Sequence, residues 1–211
     1  MQIKICGIQA PEHLLTVAAN GADMVGLVFA PSRRQVDIAQ AQLLVRTLRD
    51  AGYATKVVGL FVNAPSAEIA TTVAACQLDI VQLHGAEPVS LLAELPAMPI
   101  LRAIRFDGSA VEQAWLTLNH PQVTLLVDAP VTNGLQGGTG HQADWHQAAQ
   151  LARTQRIMLA GGLTPANVSS AIAAVQPWGV DVSSGVERDG IKDNGKIAAF
   201  IHLATQRNEV V

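Results

Sequence analysis

The pattern that most constrains this chain is an alternation of short apolar runs with helix-like stretches, repeated eight times. The runs lie at 3–6, 24–29, 56–62, 78–83, 100–104, 123–127, 157–159 and 179–182. They are nearly continuous in apolar residues, as parallel strands covered on both faces are. Helical periodicity follows each run, at 11–19, 38–50, 66–76, 89–95, 110–118, 144–153, 165–175 and 195–206. Asp37 and Ser66 stand at N-cap positions, and Thr164-Pro165 puts proline at a first helical position. Strict strand–helix alternation calls for parallel strands joined by right-handed crossovers. Eight units in 211 residues leave about 26 residues for each, enough for a strand, a helix and two short loops. The expected fold is therefore α/β, a single (β/α)8 TIM barrel forming one catalytic domain over 1–211. A doubly wound open sheet would carry a glycine-rich fingerprint after its first strand, and Cys6-Gly7-Ile8-Gln9-Ala10 does not supply one.

Composition narrows the function classes. Apolar residues make up 49% of the chain and charged residues 15%, with a net charge of −3. Disorder needs the reverse balance. Two cysteines, Cys6 and Cys76, cannot make a disulfide scaffold. With 14 basic against 17 acidic residues, no nucleic-acid partner is expected. Mean hydropathy is +0.27, yet the most apolar stretch is broken by Asn20, Gly21 and Asp23, so no membrane span is expected. The N-terminus begins directly with a strand-like run, and a cytoplasmic protein is the expectation.

In such a barrel the chemistry sits at the C-terminal ends of the strands and in the loops after them. Those positions hold Cys6, Arg33 and Arg34, Asn63, His84, Arg105, Asp128, Gly161-Gly162 and Ser183-Ser184-Gly185. Two polar loops are long: 129–141, with Gly137-Gly138-Thr139-Gly140, and 183–194. The glycines of the last two strand-end loops, with a helix start at Thr164-Pro165, form a candidate phosphate site. Asp128 closes an apolar run, where desolvation favours the protonated form of a general acid. Lys4 and Cys6 lie two apart and share the inward face, so the ammonium should lower the thiol pKa. A lysine inside a barrel needs an anion, and Asp181 on the closing strand is the expected partner. Arg34 is a candidate partner for a substrate carboxylate, and His84 either binds substrate or lines the wall. No metal-ligand spacing occurs, so no metal is expected, and Cys76 reads as structural.

Taken together, Lys4-Ile5-Cys6-Gly7-Ile8, Ser32 and Arg34, Leu60-Phe61-Val62-Asn63, Val81-Gln82-Leu83-His84-Gly85, Leu126-Val127-Asp128-Ala129, Gly137-Gly138-Thr139-Gly140, Leu159-Ala160-Gly161-Gly162-Leu163 with Asn167-Val168, and Val180-Asp181-Val182-Ser183-Ser184-Gly185-Val186-Glu187 with Gly190, Lys192 and Lys196 resemble the phosphoribosylanthranilate isomerases of tryptophan biosynthesis. The resemblance spans the chain. It implies a (β/α)8 barrel that performs an Amadori rearrangement without a cofactor, converting N-(5'-phosphoribosyl)anthranilate to 1-(o-carboxyphenylamino)-1-deoxyribulose 5-phosphate. It further implies Asp128 as general acid, Cys6 as general base, Arg34 on the anthranilate carboxylate, and His84 in the site wall. Gly161, Gly162, Ser183, Ser184 and Gly185 would hold the phosphate. The implied partner is this small molecule; monomer and homodimer both stay open. Gln35, Ala143 and Asp189 depart from the family pattern, which often has an aromatic residue, phenylalanine and proline there.

Three other readings are weaker. Indole-3-glycerol phosphate synthase, another phosphate-binding barrel of the pathway, would need lysine and glutamate at strand ends. A bifunctional histidine–tryptophan isomerase would carry aspartate where Cys6 stands. A non-catalytic sugar-phosphate-binding barrel would have lost Cys6 or Asp128.

Overall fold

Eight parallel strands close into a barrel in a computed structural model that describes residues 1–129 and 143–206. The strands are β1 (Gln2–Cys6), β2 (Met24–Val28), β3 (Lys56–Phe61), β4 (Ile80–Leu83), β5 (Ile100–Ile104), β6 (Val123–Val127), β7 (Ile157–Leu159) and β8 (Gly179–Val182). Each pairs with its neighbours in chain order, and β8 returns to β1. The helices described around them are α1 (Pro11–Ala19), α2 (Ile38–Asp50), α3 (Ser66–Cys76), α4 (Ala110–Thr117), α5 (Trp145–Ala152), α6 (Val168–Val175) and α7 (Asn194–Thr205). Among the described residues, no helix is long and apolar enough to cross a membrane.

Side chains along each strand alternate between the barrel interior and the helix-facing side. On the helix side, residues such as Ile3, Val25, Phe61 and Val81 join Leu44, Leu48 and Phe200 in one large core. Inside, Met24, Val58, Ile80, Leu101, Leu126 and Met158 form a separate plug. Both faces are dry, which is why the runs show no polar alternation. Toward the C-terminal ends the inward positions become polar: Lys4, Cys6, Gln82, His84, Asp128 and Asp181 are all buried. The apolar plug thus forms the floor of a polar cup.

Several local expectations need correction. Residues 89–95 form not an α-helix but a 3-10 turn, Val89–Glu94. The segment is bracketed by Pro88 and Pro96, and a residue before proline is driven out of the helical region, as Leu95 is at ψ 155°. Helix α6 starts at Val168, so Pro165 is not at its first position. Asn167 instead closes a turn, accepting from Thr164 N at 2.7 Å and donating to Gly162 O at 3.0 Å. Such side-chain bonds to nearby backbone compete with helix. Ser66 does not cap α3; its hydroxyl donates to Glu94 at 2.7 Å. Asp37 does cap α2, accepting from Gln40 N at 2.7 Å. The long eighth loop carries a small hairpin, β9 (Glu187–Arg188) and β10 (Ile191–Lys192), turned at Asp189-Gly190 with positive φ at both residues. Cys76 is buried at the end of α3, and the cup is at the other side of the barrel wall.

A buried charge pair fixes the β4 loop. Glu87 accepts from Arg102 on β5, and its other bonds come from Asn63 N (2.8 Å) and Gly85 N (2.9 Å). The Arg102 guanidinium lies 5.3 Å from the centre of the Trp115 ring, whose Nε1 donates to Glu87 O at 2.8 Å. Removing one partner of such a pair leaves the other charge buried alone. Glu87→Ala is therefore expected to lower the unfolding free energy by about 3–5 kcal/mol. Equilibrium urea unfolding checks this, and a loss below about 1 kcal/mol would place the pair among exposed ones.

Candidate active site

The polar cup opens into a cavity of about 920 Å³ at the C-terminal end of the barrel. Cys6, Arg34, His84, Asp128 and Asp181 line it together, as do Gly161, Gly162, Ser183, Ser184 and Gly185. Every described candidate chosen from the strand ends for binding or proton transfer therefore faces one space. The Gly137–Gly140 motif lies outside the described residues.

The acid side is built from β4 and β6. Gln82 and His84 are successive inward positions of the β4 segment. Gln82 Nε2 lies 2.9 Å from His84 Nδ1, and His84 Nε2 lies 3.1 Å from Asp128 Oδ2. Gln82 thus holds the ring from its Nδ1 side and turns Nε2 toward the carboxylate. Asp128 also accepts from Ala129 N at 2.8 Å. Burial pushes its carboxyl upward, but the His84 bond and charge, the Ala129 N–H and Arg105 outweigh that and hold it below the ordinary carboxylate range. Desolvation alone predicts the opposite; the donors converging on the ionised form come from separate segments, which composition does not reveal. Arg105 further supports this wall by donating to His84 O at 3.1 Å.

The base side is built at the seam of the barrel. The β1–β8 register places Lys4 opposite Asp181, and their side chains meet at 3.0 Å. That is the pairing expected from the sequence. Its effect on Cys6 is not. Burial pushes the thiol up, and Lys4, which pulls it down, is opposed by Asp181. The thiol ends above its ordinary range because the lysine's charge is already matched. Burial pulls the Lys4 ammonium down, but Asp181 and Cys6 together outweigh it and raise its pKa.

The candidate phosphate end is made of backbone. Gly161 and Gly162 have φ of 76° and 67°, a left-handed conformation, and a Cβ on Gly161 would lie 2.5 Å from Ala129 N. At Gly185 a Cβ would fall 1.8 Å from Leu163 O, so the seventh and eighth loops touch backbone to backbone. Among the described residues, the N–H groups of Gly161 and Gly162 have no backbone acceptor. Among those residues they are unpaired and could meet an anion, and α6 starts at Val168, not at the Thr164-Pro165 expected to lend a helix N-terminus.

Arg34 is held by Glu187, which also accepts from Arg33 and Lys192. Strand-end reasoning missed Glu187, Lys192 and Gln82. The two-residue spacing that paired Lys4 with Cys6 applies equally to Gln82 and His84 and would have found the last. Among the described residues, no group of three or more His, Cys, Asp or Glu is placed to hold a metal ion.

Known proteins resemble this chain over nearly its whole length. A family model described as N-(5'phosphoribosyl)anthranilate (PRA) isomerase matches residues 3–203. The N-(5'-phosphoribosyl)anthranilate isomerase of Roseiflexus castenholzii is 52% identical over 208 residues, covering 97% of this chain and 98% of that protein. A crystal structure of phosphoribosyl anthranilate isomerase in complex with reduced 1-(o-carboxyphenylamino)-1-deoxyribulose 5-phosphate matches with a TM-score of 0.80 at 34% identity, over 97% of this chain and 98% of that one. Mutually generated monomers of the dimeric enzyme from Thermotoga maritima match with a TM-score of 0.80 at 33% identity, over the same shares.

The charge balance at Cys6 can be read by alkylation. Only the thiolate reacts, so with Cys76→Ser removing the second thiol, the iodoacetamide rate at pH 7 should fall below that of free cysteine and rise steadily with pH. Lys4→Met should slow it further, because the stronger of the two cations that favour the thiolate, Lys4 and Lys192, is gone and Asp181 is left unmatched. A fast, pH-independent reaction near neutrality would contradict the raised thiol pKa.

Proposed function

The chain belongs to the N-(5'-phosphoribosyl)anthranilate isomerase family, and on that footing we propose that it converts N-(5'-phosphoribosyl)anthranilate to 1-(o-carboxyphenylamino)-1-deoxyribulose 5-phosphate, a step of tryptophan biosynthesis. The observation that carries this reading is one cavity lined by a carboxyl–imidazole pair, a thiol, an arginine and the glycine loops after β7 and β8. The substrate has an anion at each end, a phosphate and a carboxylate. The glycine N–H groups of the seventh and eighth loops, with Ser183 and Ser184, take the phosphate. Arg34 takes the carboxylate with its planar fork.

Chemistry then needs a proton delivered and a proton removed. Asp128, in its protonated form, gives its proton to the ribose ring oxygen as the C1'–O4' bond breaks. The anilinic nitrogen supplies the electron pair and becomes a Schiff base at C1'. Cys6 as thiolate removes the C2' proton; the C–H electrons form C1'=C2' and the iminium nitrogen takes back its pair. The resulting enolamine gains a proton at C1' as its C2' hydroxyl becomes the ketone. Every step is a proton transfer or a bond shift within the substrate, so the reading calls for no metal or cofactor. Substrate filling the cavity expels water, which favours the neutral form of Asp128. We place this activity in the cytoplasm, in one catalytic domain over 1–211 that works as a monomer or a homodimer without nucleic acid or membrane.

Loss of the substrate's fluorescence tests the reading directly. Wild-type protein should consume phosphoribosylanthranilate. Cys6→Ser and Asp128→Asn should each cut kcat by at least the roughly 10²–10⁴-fold typical of a lost acid or base. No turnover by the wild type would remove the assignment, and a near-normal kcat for either variant would remove that residue's role.

A further inference from the structure

Glu187 has no part in the two proton transfers, yet among the described residues it gathers three cationic side chains on one carboxylate. Only 8% of it is exposed. Its Oε1 accepts from Arg34 Nε at 2.7 Å and from Lys192 Nζ at 2.7 Å. Its Oε2 accepts from Arg34 Nη2 at 3.0 Å and from Arg33 Nη2 at 2.6 Å. Its main-chain oxygen accepts from Lys196 Nζ at 2.6 Å. Lys192 in turn donates to Ser183 O at 2.8 Å, and Ser183 Oγ donates to Cys6 O at 3.1 Å. One carboxylate thus ties the β2 loop to the β8 loop and, through Ser183, to the end of β1.

A guanidinium presents two donor edges, Nε with one Nη and the two Nη groups together. Glu187 occupies the Nε–Nη2 edge of Arg34. The other edge is left over: Nη1 makes no hydrogen bond among the described residues, and Arg34 lines the cavity. The carboxylate also does not neutralise its cluster. One negative charge faces Arg33, Arg34 and Lys192, so the arginine keeps its attraction for a second anion.

We propose that Glu187 is a positioning residue: it fixes the Nε–Nη2 edge of Arg34 so that the opposite edge meets the substrate carboxylate. This rests on the isomerase reading above. An arginine free to rotate would have to be ordered at each binding event, and that cost would appear in substrate binding. Glu187 acts through Arg34, so its removal should matter only while Arg34 is there.

A double-mutant cycle separates this from a staple that merely holds two loops together. The kcat and KM for phosphoribosylanthranilate are measured for wild type, Glu187→Gln, Arg34→Ala and the pair, with thermal unfolding recorded for each. Glu187→Gln should raise KM by about tenfold while kcat stays within about threefold, since uniform binding is what is lost. In the Arg34→Ala background the same change should leave KM within about twofold. Should Glu187→Gln not fold, Glu187→Asp, which keeps the charge but shortens its reach, is put through the same cycle with the same expectation. Equal effects of the Glu187 change with and without Arg34 would overturn the proposal, and so would a fall in KM, which would make Glu187 a competitor for the arginine. Both outcomes leave the isomerase reading standing, whereas an inactive wild type would remove it as well.

Discussion

Lys4 has none of its surface exposed, and an ammonium in that position needs a counter-charge from the strand beside it. β8 supplies it at 3.0 Å, through Asp181, at the register pair that closes the barrel. The closing of the fold and the electrostatics of the candidate base are therefore one fact. Slipping β8 by a single residue would turn Asp181 toward the helices, leave Lys4 unpaired and change the field at Cys6 in the same movement. Everything above the apolar plug hangs on this register, because the plug itself, made of methionine, leucine, isoleucine and valine, would tolerate more than one arrangement.

The same pairing bears on how the proposed reaction starts. With Lys4 already matched by Asp181, burial dominates at Cys6 and the resting group is a thiol. Across the cavity, converging donors keep Asp128 ionised in spite of its burial. A resting thiol and a resting carboxylate are the protonation states that ring opening and C2' deprotonation leave behind. The proposed reaction would begin from the opposite pair, acid loaded and base bare. The two sites share a cavity, and their titrations belong to the protein as a whole and not to either residue. The proposed substrate, with a phosphate at one end and a carboxylate at the other, would change the balance at both residues at once, by excluding water near Asp128 and by adding negative charge to the cavity.

Much of this was legible in the residues alone. The fold followed from eight continuous apolar runs, since only a sheet dry on both faces reads that way. Cys6, Arg34, His84, Asp128 and the two glycine loops followed from their places at strand ends, and Lys4–Asp181 from the facing parity of neighbouring strands. What escaped were properties that arise when three or more segments meet. The sign of the shift at Asp128 depends on His84, Ala129 and Arg105 together; that at Cys6 depends on whether Lys4 has a partner of its own. The role of Glu187 depends on the hairpin turned at Asp189-Gly190, which pairs its strand with that of Lys192 and brings its carboxylate to Arg33, Arg34 and Lys192. The Val89–Glu94 turn and the late start of α6 were lost to local chemistry, the prolines at 88 and 96 and the side chain of Asn167, which helical periodicity does not weigh.

A common device runs through the cup. Three polar groups facing the cavity are backed by charges or donors that reach across to another segment: Cys6 by Lys4 with its partner Asp181, Asp128 by His84 and Gln82, Arg34 by Glu187. Behind His84 the arrangement repeats one layer out, where Glu87 and Arg102 clamp the β4 loop against Trp115. Buried charges are costly when alone, so each such pair penalises any displacement of the loop that carries it. Loops at this end of a barrel are the parts of the fold least constrained by packing, and here the constraint is electrostatic instead. That explains how a chain with only 15% charged residues places so many of them under cover at one end: the charges that serve the candidate chemistry hold the site's geometry as well.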